Sequence, residues 1–189
     1  MSAQDRESLR PPLHVVVMGV SATGKTSVAE ELANQLALDF VEGDDMHPPA
    51  NIDKMSAGVP LDDDDRRPWL QAIADRVAEQ DRTGRSAVVT CSALKRSYRD
   101  ILRSGLVDSD IFFLHLHTEF DVLHDRMTQR TKHFMPPALL QSQFDTLEPL
   151  QDDEAGAVVD VAEPLEVVVT ASVKAVRTAY PGWHARPGD

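Results

Sequence analysis

Short apolar runs alternate along the chain with longer segments in which apolar residues recur every three or four positions. Short apolar runs bounded by polar residues or glycine are typical of strands buried in a parallel sheet, and the longer pattern is typical of helices. Five strands are predicted: Leu13–Met18, a short strand through Phe40-Val41 that ends at Gly43-Asp44, Ala87–Cys91, Ile111–Leu116 and Ala157–Asp160. Helices are predicted over 27–36, 69–80, 95–103, 119–130, 137–146 and 164–178.

This alternation of strands and helices predicts an α/β fold with three layers, α/β/α, around a five-stranded parallel sheet. Right-handed crossovers would place helices on both faces of the sheet. Ligands of such sheets bind beyond the carboxyl ends of the strands, where the motifs of this chain are concentrated. We expect one domain over 13–180, a flexible N-terminus at 1–12 and a frayed tail at 181–189.

A phosphate-binding motif follows the first predicted strand. Residues 19–26 read Gly-Val-Ser-Ala-Thr-Gly-Lys-Thr and match G-x-x-x-x-G-K-[ST], the P-loop, with the strand and helix that the motif requires on either side. The loop amides face the β-phosphate, Lys25 reaches the β- and γ-phosphates, and the Thr26 hydroxyl is a hard oxygen suited to Mg²⁺. The predicted ATP site comprises Gly19, Val20, Ser21, Ala22, Thr23, Gly24, Lys25, Thr26 and Ser27, with Thr26 as metal ligand.

Composition narrows the class of protein. The formal net charge of −12, with basic residues scattered singly or in pairs, argues against nucleic acid as a partner. One cysteine, Cys91, precludes an internal disulfide and suits a reducing compartment. The polar stretch Met1–Pro12 lacks the apolar core of a signal peptide, and no apolar run approaches the ~20 residues of a membrane span. We therefore expect a cytoplasmic enzyme that does not bind membranes.

Other P-loop classes fit the sequence less well. Asp81-Arg-Thr-Gly84 matches the D-x-x-G signal of regulatory GTPases, but Asp81 follows a polar helix end, and no N-K-x-D guanine signal exists in the chain. The third strand ends in Thr90-Cys91-Ser92 instead of the Asp-Glu pair usual in motor and transport ATPases. A small-molecule kinase is favoured, and a nucleotide-dependent regulatory or binding protein without turnover is the alternative.

Several further segments carry a family resemblance that covers about residues 13–178. They are 44–55, 58–70, 91–100, 133–136, 142–144 and 146–148. The block 41–70, which includes the first two, is far more specific to the family than the P-loop is. Through them the sequence closely resembles the gluconokinase family of shikimate-kinase-like P-loop kinases. Loops of that family usually read G-V-S-G-S-G-K-S, whereas this chain has Ala22 and Thr23 in place of the middle Gly-Ser.

The resemblance implies an activity and an organisation of the domain. It implies transfer of the ATP γ-phosphoryl group to the 6-hydroxyl of D-gluconate, which yields 6-phosphogluconate and ADP. A kinase for another small polyol or sugar acid is the alternative enzyme. A substrate-binding region at about 44–84, a helical lid at about 126–140, an adenine-bordering loop at 160–164 and a possible homodimer are also implied.

The acceptor side can be assigned residue by residue. Asp44 is the candidate base, with a helix N-cap as the alternative role. For Asp45, a solvent-exposed position or a place in the Mg²⁺ shell is as plausible as a catalytic role. Arg66 and Lys54 are natural partners for the gluconate carboxylate, or they balance nearby acidic residues. The predicted substrate contacts are Asp44, His47, Lys54, Arg66, Ser92, Lys95, Arg99 and Gln143.

The predicted lid contributes two arginines. Arg126 and Arg130 are four residues apart and share one helical face, from which they would neutralise charge on the transferred phosphoryl group. The alternative is an exposed helix end whose cations suit the helix dipole. With Lys25 and Asp44 they form the predicted catalytic set. His115 and His117 face the same way on a strand, and we interpret them as satisfied interior or rim histidines.

Overall fold

The structure, a computed structural model, describes residues 11–106, 109–129 and 137–184. The predicted Arg130 and most of the lid loop therefore lie outside the described residues, as do parts of both predicted termini. The strands are β1 (Leu13–Met18), β2 (Asp39–Val41), β3 (Ala87–Thr90), β4 (Asp110–His117) and β5 (Gly156–Asp160). The helices are α1 (Lys25–Leu36), α2 (Pro49–Ser56), α3 (Asp63–Arg82), α4 (Arg96–Arg103), α5 (Phe120–Gln129), α6 (Pro137–Thr146) and α7 (Leu165–Ala179), with a 3-10 turn at Gly43–Met46.

The five strands form one parallel sheet in the order β2-β3-β1-β4-β5, which confirms the predicted fold class. The register pairs Val17 with Thr90 and Met18 with His115. Because the strands are parallel, the segments that follow β1, β2 and β3 emerge at one edge of the sheet. These segments are the P-loop, the 3-10 turn and the stretch around Ser92.

Two apolar layers cover the sheet. On one face α1 and α7 pack on β1 and β4 through residues such as Leu32, Val169 and Leu114. On the other face α3 to α6 pack through residues such as Ile73 and Phe113. Burial of both faces explains why the strands read as continuous apolar runs in the sequence.

The segment between β2 and β3 differs most from the sequence prediction. Helix α2 was not predicted, and it begins at Pro49, a first-turn position where the missing N–H of proline costs nothing. Helix α3 begins six residues earlier than predicted because Asp62 and Asp65 form a reciprocal capping box. The acidic run thus supplies a cap and a first helical turn, where negative charge is favourable.

Two glycines allow the backbone to approach its neighbours closely at the ligand edge. A Cβ on Gly19 would lie 2.5 Å from the Leu116 carbonyl oxygen, and one on Gly43 would lie 2.0 Å from that of Thr90. The Gly43 amide donates to the Thr90 hydroxyl at 2.9 Å. These contacts hold the P-loop and the 3-10 turn against the sheet. Within the described ranges no helix combines the length and the apolar character needed to cross a bilayer.

Candidate active site

The P-loop wraps the start of α1. Gly24 has φ 84° at the helix N-cap, and the Lys25 ammonium donates to the Val20 carbonyl at 3.1 Å. Burial lowers the pKa of Lys25, against the opposing effect of the Asp44 carboxylate. The lysine is therefore held inside the loop, close to the carboxylate that we predicted as the base.

Ala22 adopts a left-handed conformation, with φ 66°, at the position where related loops usually carry glycine. A side chain in this region is strained because the Cβ crowds the backbone, at a cost of about 1–2 kcal/mol. Ala22 thus adopts the left-handed backbone conformation that favours glycine, although it is an alanine.

Glu42 is a site residue that sequence reasoning missed. Its carboxylate accepts hydrogen bonds from the hydroxyls of Thr26, at 2.8 Å, and Thr90, and from the Asp44 amide at 3.3 Å. Its position at the end of β2, beside the P-loop, was the available signal. Thr26 and Glu42 together offer the hard oxygen ligands that Mg²⁺ prefers. No cluster of three or more His, Cys, Asp or Glu side chains able to hold a metal occurs in the described part of the chain.

A cavity of about 170 Å³ lies between the P-loop, the segment from the 3-10 turn to α3, and α6. Seven of the predicted site residues line it: Ser21, Lys25, Asp44, His47, Arg66, Ser92 and Gln143. The residues that sequence reasoning missed are mostly apolar: Ile52, Met55, Pro60, Leu61, Trp69, Leu139 and Ser142. Trp69 is also a core residue, as predicted, since it is only 1% exposed.

Arg66 is a buried cation at this cavity. The residue is 6% exposed, its Nε donates to the Leu61 carbonyl at 3.3 Å, and its guanidinium carbon lies 5.8 Å from the centre of the Tyr98 ring. Tyr98 is itself held by a hydrogen bond from its hydroxyl to Asp63. This support leaves a planar, preorganised cation beside the cavity.

Gln143 joins α6 to the P-loop. Its side-chain Oε1 accepts a hydrogen bond from the Ser21 amide at 2.7 Å. A residue of α6, just beyond the predicted lid at about 126–140, is therefore in contact with the phosphate-binding loop and with the cavity.

Three of the predicted substrate contacts do not line the cavity. Lys54 pairs with Asp65 and, at 3.5 Å, with Asp62, while Lys95 binds Asp63 at 2.7 Å. These lysines connect α2 and α4 to the first turn of α3 and its cap. Both therefore balance the acidic run, which was the alternative interpretation for Lys54.

Arg99, the third of these predicted contacts, pairs with a different part of the chain. Arg99 is fully buried, and its guanidinium donates to both carboxylate oxygens of Glu154, at 2.7 and 2.8 Å. It also donates to the carbonyls of Ala93 and Glu148. Arg99 therefore clamps the segment that leads from α6 into β5.

Arg126 lies away from the acceptor cavity. Its guanidinium donates to the Val161 carbonyl at 2.5 Å and borders a second cavity of about 330 Å³. The other walls of that cavity are formed by P-loop residues 22–24, the start of α1 and the loop around Pro164. Arg126 therefore lies on the side of the P-loop where we expect the nucleotide.

His115 differs from its expected role as a satisfied histidine. It is 5% exposed, and in the described structure its Nε2 has no hydrogen-bond partner. Burial, followed by the effects of His117 and Arg99, lowers the pKa of His115 to about 4. The ring is therefore a buried neutral group.

Comparisons with known proteins agree with this geometry. A family model described as an AAA domain matches residues 15–150. The solved structure of a gluconokinase from Sinorhizobium meliloti 1021 superimposes with a TM-score of 0.81 at 48% identity, over 90% of this chain and 95% of that one. The fold and the site define a P-loop kinase of small molecules.

Two relatives make the assignment more specific. The thermoresistant gluconokinase of Escherichia coli K12 is 45% identical over 163 residues (86% of this chain, 92% of the relative), and the gluconokinase of Gluconobacter oxydans 621H is 54% identical over 143 residues (76% and 79%). The chain belongs to the gluconokinase family.

Proposed function

We propose that the protein transfers the γ-phosphoryl group of ATP to the 6-hydroxyl of D-gluconate and forms 6-phosphogluconate and ADP. Membership of the gluconokinase family supports the reaction. The observation that carries it is that the P-loop lysine Lys25, the carboxylate of Asp44 and the cation of Arg66 border the same cavity. In this proposal Lys25 binds the γ-phosphate, Asp44 accepts the proton and Arg66 binds the anionic end of the acceptor.

The nucleotide side is built from the P-loop and its neighbours. We propose that the loop amides and Lys25 hold the triphosphate and that Thr26 and Glu42 would hold Mg²⁺. Bound there, the ion would neutralise charge on the β- and γ-phosphates. The second cavity, between Arg126 and Pro164, would receive the adenosine part of ATP, because a planar guanidinium can cover a planar base.

The site would recognise the acceptor by the charge at one end of the molecule and by hydroxyl contacts at the other. Arg66 offers its guanidinium to the gluconate carboxylate, a geometry that suits two parallel hydrogen bonds. The carboxylate of Asp44 accepts a hydrogen bond from the attacking hydroxyl and then its proton. The catalysis consists mainly of positioning and electrostatic stabilisation.

An ADP-release assay over a panel of sugar acids and polyols tests this function. We expect turnover with gluconate to exceed that with each other acceptor, and Lys25→Ala to reduce it by about 100-fold or more because a phosphate contact is lost. Highest turnover with another acceptor would contradict gluconate as the substrate. ADP release no faster than that of Lys25→Ala would instead identify a binding protein without turnover.

A further inference from the structure

Asn51 is a buried polar residue that connects the first turn of α3 with His47. It lies on α2, is 4% exposed, and its side-chain Nδ2 donates to the Asp65 backbone carbonyl at 2.9 Å. A carbonyl oxygen can only accept, so this contact determines that the amide nitrogen, and not its oxygen, faces Asp65. The same nitrogen lies 3.4 Å from Nδ1 of His47.

This contact determines the tautomer of His47. An amide NH₂ group has two protons, so Asn51 can donate to the Asp65 carbonyl and to His47 at once. A ring nitrogen that accepts a hydrogen bond carries no proton, so Nδ1 is unprotonated and the ring proton is on Nε2. Burial lowers the pKa of His47 below its usual 6.5, against the opposing effect of Asp44 and with that of Arg66, and this favours the neutral ring.

The remaining nitrogen of His47 faces the candidate base. Nε2 lies 3.9 Å from the Asp44 carboxylate, too far for a direct hydrogen bond, and both residues line the acceptor cavity. The ring cannot easily turn, because it stacks on Trp69 with centroids 4.1 Å apart and planes within 13°. Trp69 is fixed in turn by a hydrogen bond from its Nε1 to the Gly43 carbonyl at 2.7 Å.

We propose that Asn51 is a positioning residue that fixes His47 as the Nε2–H tautomer, so that Nε2–H and the Asp44 carboxylate hold the acceptor hydroxyl between them. A hydroxyl oxygen can accept from Nε2–H while its proton is donated to the carboxylate. The hydroxyl oxygen attacks the γ-phosphorus, its proton passes to Asp44, and ADP leaves. The assignment of the acceptor hydroxyl rests on the proposed function, whereas the tautomer does not.

The tautomer can be measured in the ligand-free protein. Two-bond ¹H–¹⁵N correlation NMR distinguishes Nε2–H from Nδ1–H in a neutral imidazole, and the signals lost in His47→Gln identify His47 among the seven histidines of the chain. We expect the Nε2–H pattern in the wild-type protein. An Nδ1–H pattern would overturn the proposal, and no substrate is needed to see it.

Asn51→Asp changes the tautomer with almost no change in shape. A carboxylate at this position accepts from Nδ1–H, so we expect the His47 proton to move to Nδ1 or the ring to become an imidazolium. The expected kinetic effect is a loss of about 10-fold in kcat/KM for gluconate, the equivalent of one misdirected hydrogen bond, with the KM for ATP unchanged. Asn34→Asp, on the exposed side of α1, adds the same charge as a matched control. Asn51→Asp with the wild-type tautomer and wild-type kinetics would refute the role of Asn51.

Substitutions of His47 test the same geometry without relying on the Asn51 variant to fold. A Gln side chain can place its amide N–H near the position of Nε2, whereas Asn reaches only to the position of Nδ1. We expect His47→Gln to keep about 10-fold more kcat/KM for gluconate than His47→Asn, because Gln restores the donor. Equal losses in the two variants would contradict the donor role of Nε2. Failure to phosphorylate gluconate with the Nε2–H tautomer intact would count against the proposed function and leave the tautomer assignment supported.

Discussion

At the residue scale, the site depends on a few side chains whose roles follow from their immediate neighbours. Asp44 has an exposed carboxylate at the cavity, while Glu42, two residues earlier, is tied to Thr26 and Thr90. The two carboxylates at the end of β2 therefore have different surroundings, and we propose a metal role for Glu42 and an acceptor role for Asp44.

Asp44→Asn tests this division. The amide keeps the shape of the carboxylate but cannot accept the proton, so we expect at least a ~100-fold slower kcat for gluconate with ATP binding unchanged. Steady-state kinetics and a nucleotide-binding titration measure the two effects. Asp45→Asn, in the same turn, is the matched control and should retain activity. A raised gluconate KM with kcat intact would reduce Asp44 to a positioning group, and wild-type activity would make Asp45 the candidate.

The strained Ala22 gives a second prediction at this scale. Ala22→Gly should stabilise the protein by about 1 kcal/mol, because glycine adopts φ 66° without crowding its neighbours. Urea unfolding measures the change. Ala72→Gly, at an exposed position within α3, should instead destabilise the protein by about 1 kcal/mol. Equal destabilisation by both substitutions would mean that the left-handed conformation at Ala22 carries no strain.

At the element scale, α4 holds the segment that joins α6 to β5. The buried Arg99–Glu154 pair carries this contact, with Arg103 bonded to the same carboxylate at 3.0 Å. Glu148 adds a backbone contact, since its amide donates to the Leu94 carbonyl at 2.7 Å. This clamp positions the C-terminal end of α6, and with it Gln143 at the P-loop.

Arg99→Met should therefore act on stability and not on substrate affinity. It leaves the buried Glu154 without its main partner, so we expect a loss of about 3–5 kcal/mol in the free energy of unfolding. Adding Glu154→Met should recover much of this loss, because the stranded charge is removed. Arg76→Met, which breaks the exposed pair with Glu79, should cost much less. A raised gluconate KM at unchanged stability would restore the substrate-contact interpretation of Arg99.

At the scale of the whole molecule, stability depends on pH through groups that the fold buries. The pKa of His115 is lowered to about 4 from 6.5, so below pH 6.5 the unfolded chain binds a proton that the native protein excludes. Glu154 acts at lower pH: burial would raise its pKa, but hydrogen bonds from Arg99 and the Gln151 amide lower it to about 2 from 4.5. Its stabilising effect is lost as the pH falls from 4.5 towards 2.

The His115 effect can be isolated by substitution. In the wild-type protein His115 should remove about 3 kcal/mol of stability as the pH falls from 6.5 to 4, and His115→Leu should abolish that part of the loss. Urea unfolding across this pH range measures it. His184→Leu, at an exposed position, should leave the pH dependence unchanged. If the stability of His115→Leu falls with pH as steeply as that of the wild-type protein, His115 is protonated in the native protein as readily as in the unfolded chain.

Local periodicity and short contiguous motifs were enough to predict the fold class, the order of the strands and of most helices along the chain, and the P-loop. It also pointed to Asp44, His47 and Arg66, which lie in one specific block near the end of β2. The resemblance in that block supplied the family that the relatives confirmed.

Which cations reach the acceptor cavity could not be predicted from the sequence. Arg66, Lys54, Lys95 and Arg99 are all candidate substrate contacts in the sequence, but Lys95 and Arg99 have partners in distant parts of the chain. Arg99 meets Glu154, 55 residues away, and Lys95 meets Asp63, 32 residues away. Charge type and local spacing carry no information about such long-range pairs, so only the packing of α2, α3 and α4 shows that, of these four cations, Arg66 lines the cavity.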